Sequence, residues 1–216
     1  MKIAKYKQTI GFGLIVLFTI FFVNVSIARI PLMPDSALQK TRDWWFLISQ
    51  IIQASAVLFI AFNRQSKSSA FCKVGACLYA ILMIMYISNR VAFNISGENF
   101  IYFPGISEYI NSLLFFAPGL LLLVWGLPKL WLPIKFVTSL SVVISVIEDF
   151  IWAKLIPMYQ NMSDYSFEQT EPLQNAVDIL TTINSVITIA LIVLSIVWIC
   201  LREKAPSAQE HNIELI

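Results

Sequence analysis

The sequence predicts an all-α integral membrane protein: a bundle of six transmembrane helices with short loops and both termini cytoplasmic. Three observations predict it. The chain of 216 residues is 58% apolar and 13% charged, where soluble domains carry roughly a quarter charged residues. Apolar stretches of about 20 residues recur along its length, each able to cross a ~30 Å hydrocarbon core as a helix. Basic residues fall unevenly on the segments between those stretches.

The first span, 9–28, follows the basic segment MKIAKYKQ. That start, with SIA ahead of Arg29, also has the form of a signal peptide cleaved after Ala28, which would leave five spans. An apolar core of about 19 residues is long for a signal, so an uncleaved helix is expected. The second span, 44–62, opens on Trp44 and Trp45 and stops before the basic loop at Arg64 and Lys67. The third, 73–89, ends at Arg90. The fourth, 107–126, carries Pro118 and Gly119 near its middle, where a proline should kink the helix and free the Leu114 carbonyl. The fifth, 136–156, holds the adjacent acids Glu148 and Asp149, and the sixth is 175–201. Residues 1–204 form one polytopic membrane domain, and 205–216 a polar, disordered cytoplasmic tail. Between the third and fourth spans, RVAFNISGENFIYFPGI sets two short apolar runs around Ser-Gly-Glu-Asn. A small β-hairpin or an irregular interfacial loop fits it equally well.

With the N-terminus cytoplasmic, ten of the fifteen basic residues lie inside, and ten of the thirteen acids lie on or near the outside. That is the asymmetry of the positive-inside rule, and the plasma (inner) membrane is the expected location. Trp44, Trp45 and Trp152 fall at outer span ends, and Trp125, Trp131 and Trp198 at inner ends, where indoles favour the headgroup level.

The chemistry available is limited. The single histidine, His211, lies in the C-terminal tail, so histidine-ligated haem or zinc and a serine–histidine dyad have no material within the membrane. Cys72, Cys77 and Cys200 map to the inner half with no C-x-x-C and are expected as free thiols. A net charge of +2 gives no reason to expect nucleic acid as a partner. No cofactor is expected, and an enzyme is the less favoured class. GFG at 11–13 reads as helix packing rather than nucleotide binding. Asn24, Asn94 and Asn161 each begin a glycosylation sequon mapping to the outer side.

Polar stripes carry the functional expectation. Thr138, Ser141, Ser145, Glu148 and Trp152 recur every three or four residues along the fifth span, and Gln174, Asp178, Thr181, Ser185 and Thr188 along the sixth. Gln50, Gln53, Tyr79, Tyr86, Arg90, Glu108 and Asn111 extend the pattern to spans two, three and four. Helices in lipid turn such stripes towards one another, because an unpaired polar group in hydrocarbon costs several kcal/mol. Successive residues point about 100° apart, so Glu148 and Asp149 are expected in different environments. The candidate ligand-binding set is Glu148, Asp178, Arg90, Gln53, Ser145 and Thr181. Two functions compete. One is binding or transport of a small solute from the outer side, a cation being one such class. The other is a non-catalytic assembly, immunity or interaction protein whose stripes are dry helix–helix pairs, with Arg90 or Lys154 neutralising the acids.

Overall fold

The structure, a computed structural model, describes residues 2–28, 37–64, 66–96, 106–160 and 167–201. Helix α1 is Lys2–Ala28, α2 Ala37–Phe62 and α3 Ala70–Ser96. Next comes one rod in three parts: α4 (Ile106–Asn111), a π-helical stretch (Ser112–Phe116) and α5 (Ala117–Trp125). Helices α6 (Leu132–Gln160) and α7 (Phe167–Cys200) complete the chain, and the described residues contain no strand. Five of these helices are long and apolar enough to cross a membrane, and the expected fourth span is a shorter apolar helix, Tyr109–Trp125.

Each rod packs on its neighbours in sequence, and α7 returns to α1, so the rods form a closed ring. Short connections favour antiparallel neighbours. The start of α1 and the end of α7 share one end of the bundle, called the terminal end below, where the Lys7 ammonium donates to the Leu201 carbonyl at 3.3 Å. The α2–α3 and α5–α6 connections meet at this terminal end, with Ser69 Oγ donating to the Gly126 carbonyl at 2.8 Å. Here the ring is filled solid. Ile10, Leu14, Ile60, Leu123, Val124 and Leu127 are all fully buried, and Tyr6 meets Trp198 edge-on at 6.1 Å. Trp198, expected as a headgroup anchor, is instead a core residue, 3% exposed. The free thiols are as expected, with Cys72 buried and Cys77 and Cys200 exposed.

Where two rods touch through backbone, glycine is the cause. A Cβ on Gly75 of α3 would stand 2.5 Å from the Leu123 nitrogen and 2.6 Å from the Gly119 carbonyl oxygen of α5. Small residues let helices approach in lipid, where van der Waals packing is the main attraction between them. The GFG pair also serves packing: Gly11 faces Ile199 of α7, and Gly13 faces Ile60 of α2.

One expectation is corrected, and the setting of Pro118 is defined. Residues 90–96, the first arm of the proposed hairpin, continue α3 as helix, and 97–105 lie outside the described residues. Pro118 follows a widened turn, in which the Ala117 amide reaches back five residues to the Ser112 carbonyl. Extra room in a π turn accommodates a position that lacks its own N–H, so the proline stands in the first turn of α5.

Because the Gly75 contact is with backbone, neither helix can yield by a side-chain rotation. Gly75→Ala should therefore lower the thermal midpoint in detergent by several degrees, for a cost of about 1–3 kcal/mol. Gly13→Ala meets side-chain atoms of Ile60 and Phe59 and should shift it less; equal shifts would contradict the account of this seam.

Candidate functional site

Above the solid end the ring is hollow. A cavity of about 270 Å³ lies on its axis, with walls drawn from every rod. Helix α1 contributes Phe21 and Asn24, and α2 contributes Gln50 and Gln53. Tyr79 and Tyr86 come from α3, and Ser112 and Phe116 from the π-helical stretch. Helix α6 adds Ser145, Glu148 and Asp149, and α7 adds Asn184.

The floor is aromatic. Phe21 stacks on Phe116 at 6.4 Å, and Phe116 lies 6.1 Å from Tyr79. Beneath them is a void of only about 20 Å³, bordered by Leu17, Leu120, Thr138 and Thr188, and then the packed terminal end. A second hollow of about 530 Å³ shares Val25 and Glu148 with the first and is lined further by Trp152, Gln174, Asp178 and Thr181. It lies farther from the termini, so the accessible volume runs towards the opposite end of the bundle.

The α6–α7 wall is fixed by one amide. Asn184 Nδ2 donates to Ser145 Oγ at 2.9 Å, and its Oδ1 accepts from Ser141 Oγ at 2.6 Å. One turn farther from the termini, Thr181 Oγ1 stands 2.6 Å from Glu148 Oε1 and 2.8 Å from the Val177 carbonyl, so its proton serves one acceptor at a time. On the other flank of α6, Ser112 Oγ donates to Asp149 Oδ2. The acids thus point to different neighbours, as their 100° separation requires. Contrary to expectation, they still border one cavity, which lies in the angle between them.

Opposite the acids, Tyr79 Oη donates to Gln53 Oε1 at 2.6 Å. Gln53 is 4% exposed. On the same helix, Gln50 Oε1 is buried with no hydrogen-bond partner among the described residues. An orphaned buried polar atom costs about 1–3 kcal/mol, a cost that a donor entering the cavity would remove. Among the described residues no three of His, Cys, Asp and Glu gather as a metal site.

The expected set is partly brought together. Gln53, Ser145 and Glu148 line the axial cavity, and Thr181 reaches it through Glu148. Asp178 is exposed and belongs to the second hollow, where Gln174 Nε2 donates to it at 3.3 Å. Arg90 continues α3 one turn past Tyr86, and its side chain lies outside the described residues, as does that of Glu108. The Lys154 ammonium lies 4.7 Å over the Phe150 ring.

Several lining residues lay outside the expected set, Ser112, Phe21 and Phe116 among them. Asn184 was passed over for Ser185, which in fact donates to the Thr181 carbonyl of its own helix. Asp149, expected in a different environment from Glu148, lines the same cavity. Asn24 was read as a sequon, yet it sits within α1, accepting from Trp45 Nε1 at 2.9 Å and donating to Ser49 Oγ at 3.0 Å. Asn94 lies in α3, and Asn161 is outside the described residues.

Compared with family models, curated proteins and solved structures, the chain matches none.

Asn184→Ala removes both of its own bonds to α6 and leaves two buried hydroxyls to find other partners, a loss of about 1–3 kcal/mol. Ser185→Ala removes only a bond within its own helix and should stay within about 0.5 kcal/mol. Thermal unfolding of the two variants in one detergent checks this order, and the reverse order would show that the facing stripe is misassigned.

Proposed function

We propose that the chain is a polytopic membrane protein that binds, and by extension transports, a small polar solute entering from the side opposite its termini. One observation carries this reading: a polar cavity walled by every rod of the ring, with the buried, unpartnered amide oxygen of Gln50 beside it. A bundle held together by dry polar pairs has no need of such a cavity or of an orphaned acceptor beside it. Its volume is below that of drug-sized sites, which run from about 300 Å³ upwards, and this favours a compact ligand. Acids within a membrane bundle are functional candidates by default.

The topology proposed with it has six spans, the shorter α4–α5 rod serving as the fourth. Both termini are cytoplasmic, in the plasma membrane, with residues 1–204 as one membrane domain and 205–216 as a cytoplasmic tail. The concentration of Lys5, Lys7, Arg64, Lys67, Lys73 and Lys129 at the terminal end supports that orientation. Helix α1, with Ile10 and Leu14 fully buried in the ring, supports an uncleaved N-terminus. Reporter fusions after Lys67 and Lys129 should read cytoplasmic, and fusions after Glu98 and Asp164 the other side; a cytoplasmic Glu98 would reverse the assignment.

Solute access is tested in a chain whose three native cysteines are replaced by alanine. Glu148→Cys and Gln53→Cys should react with an impermeant thiol reagent added outside, while Val143→Cys, on the exposed apolar face, should not. Glu148→Gln should fold, because water solvates what the carboxylate faced. Unreactive cysteines at 148 and 53, together with a collapse of Glu148→Gln, would leave dry pairs and favour an assembly or interaction protein acting through its helices.

A further inference from the structure

Charge is divided between the two ends of the ring. No acid among the described residues lies at the terminal end, where Lys5, Arg64, Lys67, Lys73, Lys129 and Lys135 all fall. Lys135 stands apart from the other five. It sits in the first turn of α6 and is only 9% exposed, although lysine is almost never buried unless it is paired. Its ammonium lies 5.5 Å from the centroid of the Trp125 ring and has neither a carboxylate nor a hydrogen-bond acceptor among the described residues. An aromatic face attracts an ammonium but leaves its three N–H donors unbonded. The nitrogen is not sealed in: the described side-chain atoms buried without a partner belong to Tyr6, Gln50 and Asn89. A covered stem with its tip at the surface is the posture of a snorkelling lysine.

What surrounds the tip defines what it can meet. Trp125 is fixed from two sides: its Nε1 donates to Ser139 Oγ at 3.0 Å, and its ring meets Phe136 edge-on at 5.6 Å. Both rings remain open on the outer surface, Trp125 at 45% and Phe136 at 58% exposure. From there Leu132, Phe136, Leu140 and Val143 form an exposed apolar line along α6, one face of the helix and the course of an acyl chain. The first turn of α6 holds no acid, and its dipole adds positive character. The helix end offers few donors of its own, since Pro133 lacks an N–H and the Ile134 and Lys135 amides turn back to the Trp131 carbonyl at 3.1 and 3.4 Å. The donors are therefore those of the Lys135 side chain. An occupant that satisfies the seam is anionic at its head and apolar below it. A soluble anion fills only the first part. A zwitterionic lipid adds a second cation where the charge is already positive.

We propose that the α5–α6 seam at the terminal end binds an anionic phospholipid, its phosphate on the Lys135 ammonium and one acyl chain along Leu132, Phe136 and Leu140. Trp125 holds the lysine in place, and Lys129, exposed in the α5–α6 connection, adds charge at the same end. The site is separate from the axial cavity and does not depend on what that cavity holds.

The full chain, delipidated in a neutral detergent at an ionic strength of about 0.15 M, is titrated with phosphatidylglycerol, phosphatidylcholine or glycerol 3-phosphate while its thermal midpoint is followed. Phosphatidylglycerol should raise the midpoint by about 3 °C or more at roughly tenfold over its Kd. Phosphatidylcholine, without net charge, and glycerol 3-phosphate, without acyl chains, should give no saturable shift. Lys135→Met keeps most of the stem and should weaken phosphatidylglycerol by about tenfold or more, as for a charge-assisted hydrogen bond. Without lipid its midpoint should equal or exceed that of the native chain, because a charge lacking a partner has been removed. Lys5→Gln takes the same charge from α1, which packs on α2 and α7, and should weaken binding by less than about threefold, its distant charge being screened. Lys135→Arg should retain binding. Equal shifts with the two lipids, a saturable shift with glycerol 3-phosphate, or equal losses in Lys135→Met and Lys5→Gln overturn the proposal. If Lys135→Met does not fold, Lys135→Gln is read in its place, and a lowered lipid-free midpoint makes the lysine a structural partner of Trp125 and overturns the proposal too.

Discussion

Hydrocarbon offers a polar side chain no hydrogen bond, and the ring follows from that single deficit. Thr138, Ser141, Ser145 and Asn184 are each less than a tenth exposed, whereas the surface facing away carries Val143, Ile147, Ile179 and Val186. With no aqueous drive to hide apolar groups, rotation of each helix is set by which of its faces is wet or hydrogen-bonded. Helix α7 shows this most clearly. Its buried line runs through Val177, Asn184, Thr188, Leu191, Ser195 and Trp198, with Asn184 joined to α6 across the wall. Closing the ring between α7 and α1 then brings the polar parts of all the rods to one axis.

The two halves of the bundle solve the packing problem differently. Near the termini, Gly75 and Gly119 let α3 and α5 meet backbone to backbone, and large aliphatic side chains fill the remaining space. Towards the other end the inward residues are amides, hydroxyls and acids, whose directional bonds hold the helices apart at fixed distances and leave volume between them. The π-helical stretch lies where these regimes meet. It contributes Ser112 to the polar wall and Phe116 to the floor, while absorbing the proline that begins the close-packed α5.

Much of the fold could be read in the sequence because lipid imposes long apolar runs, and their ends are marked by charge and tryptophan. The stripes carrying Glu148 and Thr181 do face each other, and Thr181 bonds Glu148 across α6 and α7, a partner the sequence reading did not name. What failed was phase. On α7, Thr181 and Thr182, like Asn184 and Ser185, are adjacent polar residues, so spacings of three and four admit two faces, and only contact with Ser141 and Ser145 selects one. Asp149 was misjudged because a helical wheel gives directions but not neighbours. Its partner, Ser112, sits on a rod whose rotation depends on a π turn that no periodicity announces. Trp198 satisfied an indole rule and is nonetheless buried against Tyr6.

The floor of Phe21, Tyr79 and Phe116 bears on electrical behaviour. A membrane potential falls mainly across low-dielectric material. In the wet-cavity reading, water reaches Glu148 from one side, and the dry segment from that floor to Trp198 carries most of the field. A monovalent cation resting at Glu148 would then have crossed little of the potential, and its occupancy would depend weakly on voltage. The ~2.3 kcal/mol per 100 mV available to one charge crossing the whole membrane would be released almost entirely in passing the aromatic floor. That concentrates any voltage dependence in one short step, located where the helices are packed most tightly.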